Sequence, residues 1–332
     1  MSFKAIYLEK DEATGFHAEL ATLDDSALDD NPVAAGDVLL RVTHSTLNYK
    51  DGLAIANRGP VVRKWPMVAG IDGAGEVIES ADPNWQPGDP VFINGWGLGE
   101  THWGCLAEKA RLPGVQLQRV PATLSAAECM SIGTAGYTAM LCCMALQAHG
   151  VRPADGEVLV TGATGGVGTF AIALLSTLGY TVAASTGKPQ EGGFLETLGA
   201  SSLIARDTLS VAGKPLQKER WAGVIDTVGS HTLANACAQT RYGGAVAACG
   251  LAQGMDLTTT VAPFILRGVT LVGIDSVMCP IDRRQQAWAR LATELDRNKL
   301  AQITRSISLG EVIDTAAKFG SGQMSGRVVV TI

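Results

Sequence analysis

Charge is scarce in this sequence. Only 17% of its 332 residues are Asp, Glu, Lys or Arg, and the balance is a net −6. A chain with so few cations and an acidic excess lacks the basic surface that a phosphate backbone demands, so a nucleic-acid partner is not expected. Paired cysteines are missing too. There are seven, an odd number, and no Cys-x-x-Cys spacing occurs. This argues against a disulfide framework and for reduced core thiols in a cytoplasmic protein. The opening "MSFKAIYLEK" has neither a long apolar core nor a cleavage site, so no secretory signal is expected.

Long apolar runs are nearly absent as well. The exception is an uncharged stretch from Cys129 to Val151, long enough to suggest a membrane span. Glycine, serine, threonine, glutamine and histidine interrupt it throughout. A buried helix of a large α/β protein is the expectation, without a membrane.

What is present divides the chain in two. At 332 residues it exceeds the usual single-domain size. The first third reads as strands, with "GDVLLRVTHSTLN" and "GAGEVIES" separated by turn signals such as "QPGDP". From Ser125 the texture changes, and Ser125 with Glu128 forms a capping pattern. Strand-like "EVLV", "YTVAAST", "WAGVIDTVG", "AVAACG" and "GVTLVGIDSV" then alternate with helical segments. Such alternation predicts a doubly wound parallel sheet of the Rossmann kind. The expected division is a β-rich domain over 1–124, completed by 300–332 through the final strand "GRVVVTI", and an α/β domain over 125–299.

The chemistry begins at "TGATGGVG", Thr161 to Gly168. Gly162, Gly165 and Gly168 give GxxGxxG between a strand and a helix. Glycine there permits a tight turn, close backbone approach to a pyrophosphate and helix-on-strand packing, while the helix N-terminus offers free N–H groups. One strand later, "STGK" (Ser185–Lys188) stands where an NAD enzyme usually offers an acid to the ribose 2′-OH. Hydroxyls, a backbone N–H and an ammonium suit a 2′-phosphate instead, so NADP(H) is the expected cofactor. Arg206, near the end of the next strand, is a second cation for that pocket; Lys188 could equally be a solvated lysine. The same loop also satisfies TGxxxGxG, through Thr161, Gly162, Gly166 and Gly168. That short-chain dehydrogenase reading needs a downstream Tyr-x-x-x-Lys, and neither Tyr180 nor Tyr242 has a lysine four residues on.

Over nearly its whole length the chain resembles the medium-chain dehydrogenase/reductase superfamily, and within it the acryloyl-CoA reductase, or quinone-oxidoreductase-like, group. The carriers include "STLNYKDGLA", "GIDGAG", "GWGLGETHWG", "IGTAGYTAMLC", "AACGLAQG" and "PFILRGVTLVGIDSVMCP". The resemblance implies a GroES-like β domain followed by the Rossmann domain. Zinc members carry a cysteine and a Gly-His-Glu motif where this chain has "LNYKDG" and Gly70-Ile71-Asp72, and the four-cysteine lobe is missing, so no metal is expected.

Without a Lewis acid, the feasible chemistry is hydride addition to an activated C=C, with hydride at the β-carbon and a proton at the α-carbon. The resemblance implies NADPH-dependent reduction of a short 2-enoyl-CoA, acryloyl-CoA above all; quinone reduction and non-catalytic NADPH binding are the alternatives. Asn48 and Tyr49 are the candidate donors to the developing enolate, with Tyr49 also touching the nicotinamide; alternatively Tyr49 only packs against the cofactor. Asp51 is expected to cap its own loop. Implied cofactor contacts are Gly165, Gly166, Val167, Gly168, Thr186, Gly187, Lys188, Arg206, Leu251, Ile265, Ser276 and the neighbourhood of Gly322. Some related enoyl reductases have a tyrosine before a proline where this chain has Trp65-Pro66, so their proton donor does not transfer. Arg58, Arg63 and Lys64 are candidates for the coenzyme A phosphates, or incidental charges on a solvated loop. A homodimer is implied, and "GVTLVGIDSV" is a plausible edge for pairing.

Overall fold

The structure is a computed structural model that describes residues 1–11, 15–319 and 323–332. In chain order the strands are β1 (Ser2–Asp11), β2 (Gly15–Asp24), β3 (Val38–Leu47), β4 (Met67–Val68), β5 (Asp72–Ser80), β6 (Pro90–Asn94), β7 (Lys109–Leu112) and β8 (Gln118–Arg119). Then come β9 (Val158–Val160), β10 (Val182–Thr186), β11 (Ala200–Ala205), β12 (Trp221–Asp226), β13 (Thr240–Ala248), β14 (Thr270–Gly273), β15 (Thr304–Ser308) and β16 (Arg327–Thr331).

Two compact units result: 1–134 with 277–285 and 304–332, and 135–276 with 286–303. The expected boundary at 125 thus falls at 134/135, within an apparently continuous helix, Ala126–Ala148. Gly133 (φ 50°, ψ −161°) breaks that helix in two, so its first turns go with the β-rich unit. A second departure is the segment 277–285, which returns to the first unit before the C-terminal strands do. The apolar helix itself is long enough for a bilayer, but most of its apolar window is buried in the protein.

In the β-rich unit β2, β1 and β4 form a three-stranded sheet. A seven-stranded sheet runs β15-β16-β3-β5-β6-β8, with β7 also pairing β3. β3 and β5 pair antiparallel, bringing His44 opposite Ala74 and Ser45 opposite Gly73. Strand β16 lays Val328–Thr331 antiparallel along His44–Leu47. The alternating Val38, Leu40 and Val42 of β3 pack with Val77, Val91 and Ile93 into one core, as period-2 patterning dictates. A second core joins Phe3, Ile6, Leu8, Leu47, Met67 and Leu106.

The other unit is a parallel six-stranded sheet, β11-β10-β9-β12-β13-β14. Counted from β9, this is the doubly wound 3-2-1-4-5-6 order, which opens a ligand crevice at the carboxyl ends of its two central strands, β9 and β12. Those strands read Val158–Val160 and Trp221–Asp226, and every residue in them is buried, as a sheet covered on both faces requires.

Candidate active site

In the parallel sheet, β9 ends at Val160 and the helix Gly166–Thr177 begins with Gly165 as its N-cap. Gly162 takes φ +59°, and a Cβ there would collide with Thr227 Oγ1. A Cβ on Gly168 would collide with the Gly162 carbonyl oxygen, so only glycine lets the helix pack this close to the turn. The turn closes through Gly165 N–H to Gly162 O at 2.9 Å and rests on β10 through Ala163 N–H to Ser185 O at 3.1 Å. This glycine-walled helix start is a cradle that fits a pyrophosphate.

Beside it lies the end of β10. Arg206 covers Gly187: a Cβ on the glycine would meet the guanidinium carbon at 2.6 Å. Thr186 Oγ1 accepts the Lys188 N–H at 3.0 Å. The Lys188 ammonium faces Glu191 Oε1 at 3.5 Å, an acid three residues past the "STGK" string. Arg206 is therefore brought against the Thr186–Lys188 turn, while the Lys188 ammonium faces Glu191.

Asp226, at the end of β12, is a strut that the sequence reading missed. Fully buried, it accepts Thr161 Oγ1–H at 2.6 Å and the Gly229 N–H at 2.8 Å. Thr227 Oγ1–H returns a bond to Thr161 O at 3.0 Å. The two central strand ends are thereby tied, and burial pushes the Asp226 carboxyl up against these stabilising bonds. Leu251 joins this group, since a Cβ on Gly229 would meet its Cα at 3.2 Å. Ile265 lies on the helix Ala262–Arg267 with its side chain 73% exposed. Ser276 closes the unit at its chain crossing. Gly322 lies outside the described residues.

In the β-rich unit, Asn48 is the N-cap of a short helix, Tyr49–Ile55. Its backbone N–H and its Nδ2 both donate to Asp51 Oδ2, at 2.8 and 3.1 Å. Nδ2 also donates to Asp72 Oδ2 at 2.9 Å, and Oδ1 accepts Arg327 Nη1–H at 3.0 Å. Asn48 was expected as a substrate donor; here its Nδ2 donates to Asp51 and Asp72 and its Oδ1 accepts from Arg327. Asp51 does cap its own turn, and its Oδ1 accepts the Ile71 N–H at 3.0 Å. Burial, with the Asp72 charge adding, pushes Asp51 up to about 7. Tyr49, one residue on, is 47% exposed.

Neighbouring loops of this unit gather at the same turn. Lys50 Nζ pairs with Glu100 Oε1 at 2.6 Å, and Glu100 O accepts the Arg63 N–H at 2.8 Å. That links the "NYKDG" turn, the "RGPVVRKWP" loop and the "GWGLGE" loop. In the last, Trp96 takes φ +56° and lies under the guanidinium of fully buried Arg284, 4.5 Å from its carbon. Arg58, Arg63 and Lys64 are exposed, and Arg58 Nη1 reaches the Phe319 carbonyl at 3.0 Å. None of this fits zinc. Among the described residues no group of three His, Cys, Asp or Glu is placed to hold a metal ion. In the two stretches that correspond to the zinc motifs, Asn48 and Asp72 are bound into hydrogen bonds with the protein.

Comparison with known proteins agrees with this geometry. The profile of the alcohol dehydrogenase GroES-like domain matches residues 34–134, and that of the zinc-binding dehydrogenase domain matches 166–293. The chain is 49% identical to the probable acrylyl-CoA reductase of Escherichia coli K12, over 99% of both chains. It is 47% identical to the acrylyl-CoA reductase of Ruegeria pomeroyi, again over 99% of both. The crystal structure of the yhdH oxidoreductase of Salmonella enterica with NADP superposes over 100% of both chains, with TM-score 0.95 and 49% identity. The chain belongs to the medium-chain dehydrogenase/reductase superfamily, in its acryloyl-CoA reductase, quinone-oxidoreductase-like group.

Proposed function

We propose that this protein reduces the C=C bond of a short 2-enoyl-CoA with NADPH, converting acryloyl-CoA to propanoyl-CoA. The observation that carries the cofactor is the glycine-walled cradle beside a Gly187–Lys188–Arg206 pocket that offers a 2′-phosphate two cations. The substrate rests on the acrylyl-CoA reductases that match the chain end to end.

When bound, NADPH supplies a hydride to the substrate β-carbon. The chain's own work is to orient the thioester and to stabilise charge on its oxygen. Tyr49 is the exposed donor on the 48–51 turn and takes that role; the proton ends on the α-carbon. Asn48 holds the turn rather than the substrate. Arg58, Arg63 and Lys64, on one exposed loop, take the coenzyme A phosphates. Leu251, Ile265 and Ser276 complete the cofactor contacts.

The enzyme acts as a homodimer. Strand β14 is the open edge of the parallel sheet, and Leu251, Met255, Val261 and Ile265, in the segment between β13 and β14, expose 55%, 85%, 65% and 73% of their surface. Sedimentation at micromolar concentration should give a dimer mass. Seven free cysteines, six of them buried, accord with a cytoplasmic location.

NADPH oxidation measured side by side with acryloyl-CoA, crotonyl-CoA and a quinone tests the assignment. Acryloyl-CoA should have the highest kcat/KM. Turnover of the quinone alone would replace the reading with quinone reduction, and tight NADPH binding without any turnover would make the chain a binding protein.

A further inference from the structure

Beneath the Tyr49 turn lies a largely buried polar cluster whose members come from five segments of the β-rich unit. Asp72 accepts Asn94 Nδ2–H at 2.9 Å and Thr134 Oγ1–H at 2.5 Å on Oδ1; on Oδ2 it accepts Asn48 Nδ2–H and the Thr134 N–H, both at 2.9 Å. Arg327 stands 4.0 Å from Asp72 Oδ2 and spends its donors on Ser131 O at 3.1 Å, Asn48 Oδ1 at 3.0 Å and Thr46 Oγ1 at 2.9 Å. Asp72 is 0% and Arg327 3% exposed.

Burying two carboxylates and a guanidinium is costly, and apolar residues of similar volume usually stabilise as well or better. The arrangement is nevertheless built with care. Gly133 kinks its helix at φ +50°, and a Cβ there would meet Arg327 Nη2 at 2.5 Å and Asp72 Oδ2 at 2.8 Å. Every polar atom of the Asn48 side chain is held, and Asn48 fixes the backbone from which Tyr49 projects. All of the cluster's members except half-buried Thr134 are buried, so the Asn48 turn is its route to the chemistry.

We propose that Asp72 and Arg327 are positioning residues for the reaction, acting through Asn48 to hold the Tyr49 phenol in one place. This rests on the reading of Tyr49 as the donor. The pair does for the donor's geometry what packing alone does poorly: it fixes a direction, since the Asn48 amide can satisfy its partners in only one orientation.

A double-mutant cycle in kcat at saturating acryloyl-CoA and NADPH tests it, using Tyr49→Phe, Asp72→Asn, Arg327→Lys and the two doubles. Asp72→Asn and Arg327→Lys should each lower kcat about 10- to 100-fold, with the Kd for NADPH changed less than about twofold because the cradle lies in the other unit. On the Tyr49→Phe background each should cost less than about twofold more, because its effect is already lost. Effects that multiply in full would overturn the proposal, since they would show a role independent of Tyr49. So would wild-type kcat in Arg327→Lys alongside a crippled Tyr49→Phe, which leaves the donor reading standing. Wild-type kcat in Tyr49→Phe removes the donor reading itself and the proposal with it. Should Asp72→Asn fail to melt cooperatively, the milder Arg327→Lys arm decides by the same criteria.

Discussion

The glycine cradle at 161–168 and the Asn48–Arg327 cluster are both closely fixed frames, built of opposite materials. The cradle is backbone, contiguous in sequence, and its specificity lies in what is absent: a Cβ at Gly162 or Gly168 would fill it. The cluster is mostly side chain, and its longest link, Arg327 to Thr46, joins residues 281 apart. The cradle leaves N–H groups unspent for a ligand, whereas the cluster spends its polar atoms internally and leaves only Tyr49 outside. A site that must bind keeps donors free; a site that must orient closes them off.

Four perturbations sharpen that contrast. The largest effect should come from Tyr49→Phe, with kcat/KM for acryloyl-CoA falling about 100- to 1,000-fold, as for loss of an oxyanion donor. Its NADPH affinity should stay unchanged by fluorescence titration. Gly168→Ala should do the reverse. Forcing the helix off the Gly162 carbonyl costs about 1–3 kcal/mol, so NADPH should bind roughly 10- to 100-fold more weakly, with little effect on the melting of the β-rich unit.

Smaller effects belong to the 2′-phosphate pocket. Lys188→Ala and Arg206→Ala should each lower the NADPH-over-NADH ratio of kcat/KM about tenfold, the value of a charge-assisted bond. Lys188→Ala should be the milder, because Glu191 already shares that ammonium. Unchanged selectivity in both would empty the pocket of its assigned role.

Asp51 gives the most pH-specific signal. Its folded pKa, about 7, lies above the ordinary carboxylate range. Its contribution to stability is therefore full below about pH 4 and is lost as pH rises through about 7, with an upper bound of about 4 kcal/mol. Melting temperature should fall over that window in the wild type and fall less in Asp51→Asn. Equal slopes in the two proteins would show that Asp51 does not carry the proton.

Legibility in the sequence follows the same division. "TGATGGVG" and "STGK" are local strings at strand ends, and the structure places them at adjacent strand ends, with Arg206 over Gly187 as the second cation beside Lys188. The doubly wound sheet was readable because alternating strands and helices have few other ways to pack. The boundary at 134/135 was not, because Gly133 sits inside a run that is apolar on both sides of the kink. Asn48 was singled out in the sequence as a donor, but the hydrogen bonds that engage its amide were not legible there. Its side-chain partners are Asp51, Asp72 and Arg327, and the polar character of the last two has no local periodicity to betray it. Arg327 in "GRVVVTI" reads as a strand-edge charge until β16 is laid along β3. Asp226 escaped for a similar reason, since an aspartate ending a strand ordinarily signals a turn.

Isotope placement in the product tests the reduction most directly. With acryloyl-CoA and NADPH deuterated at the transferring position of C4 in ordinary water, propanoyl-CoA should carry one deuterium, at the β-carbon. With unlabelled NADPH in D2O it should carry one, at the α-carbon. Deuterium from the cofactor at the α-carbon, or NADPH consumed without propanoyl-CoA, would contradict enoyl reduction as the activity of this protein.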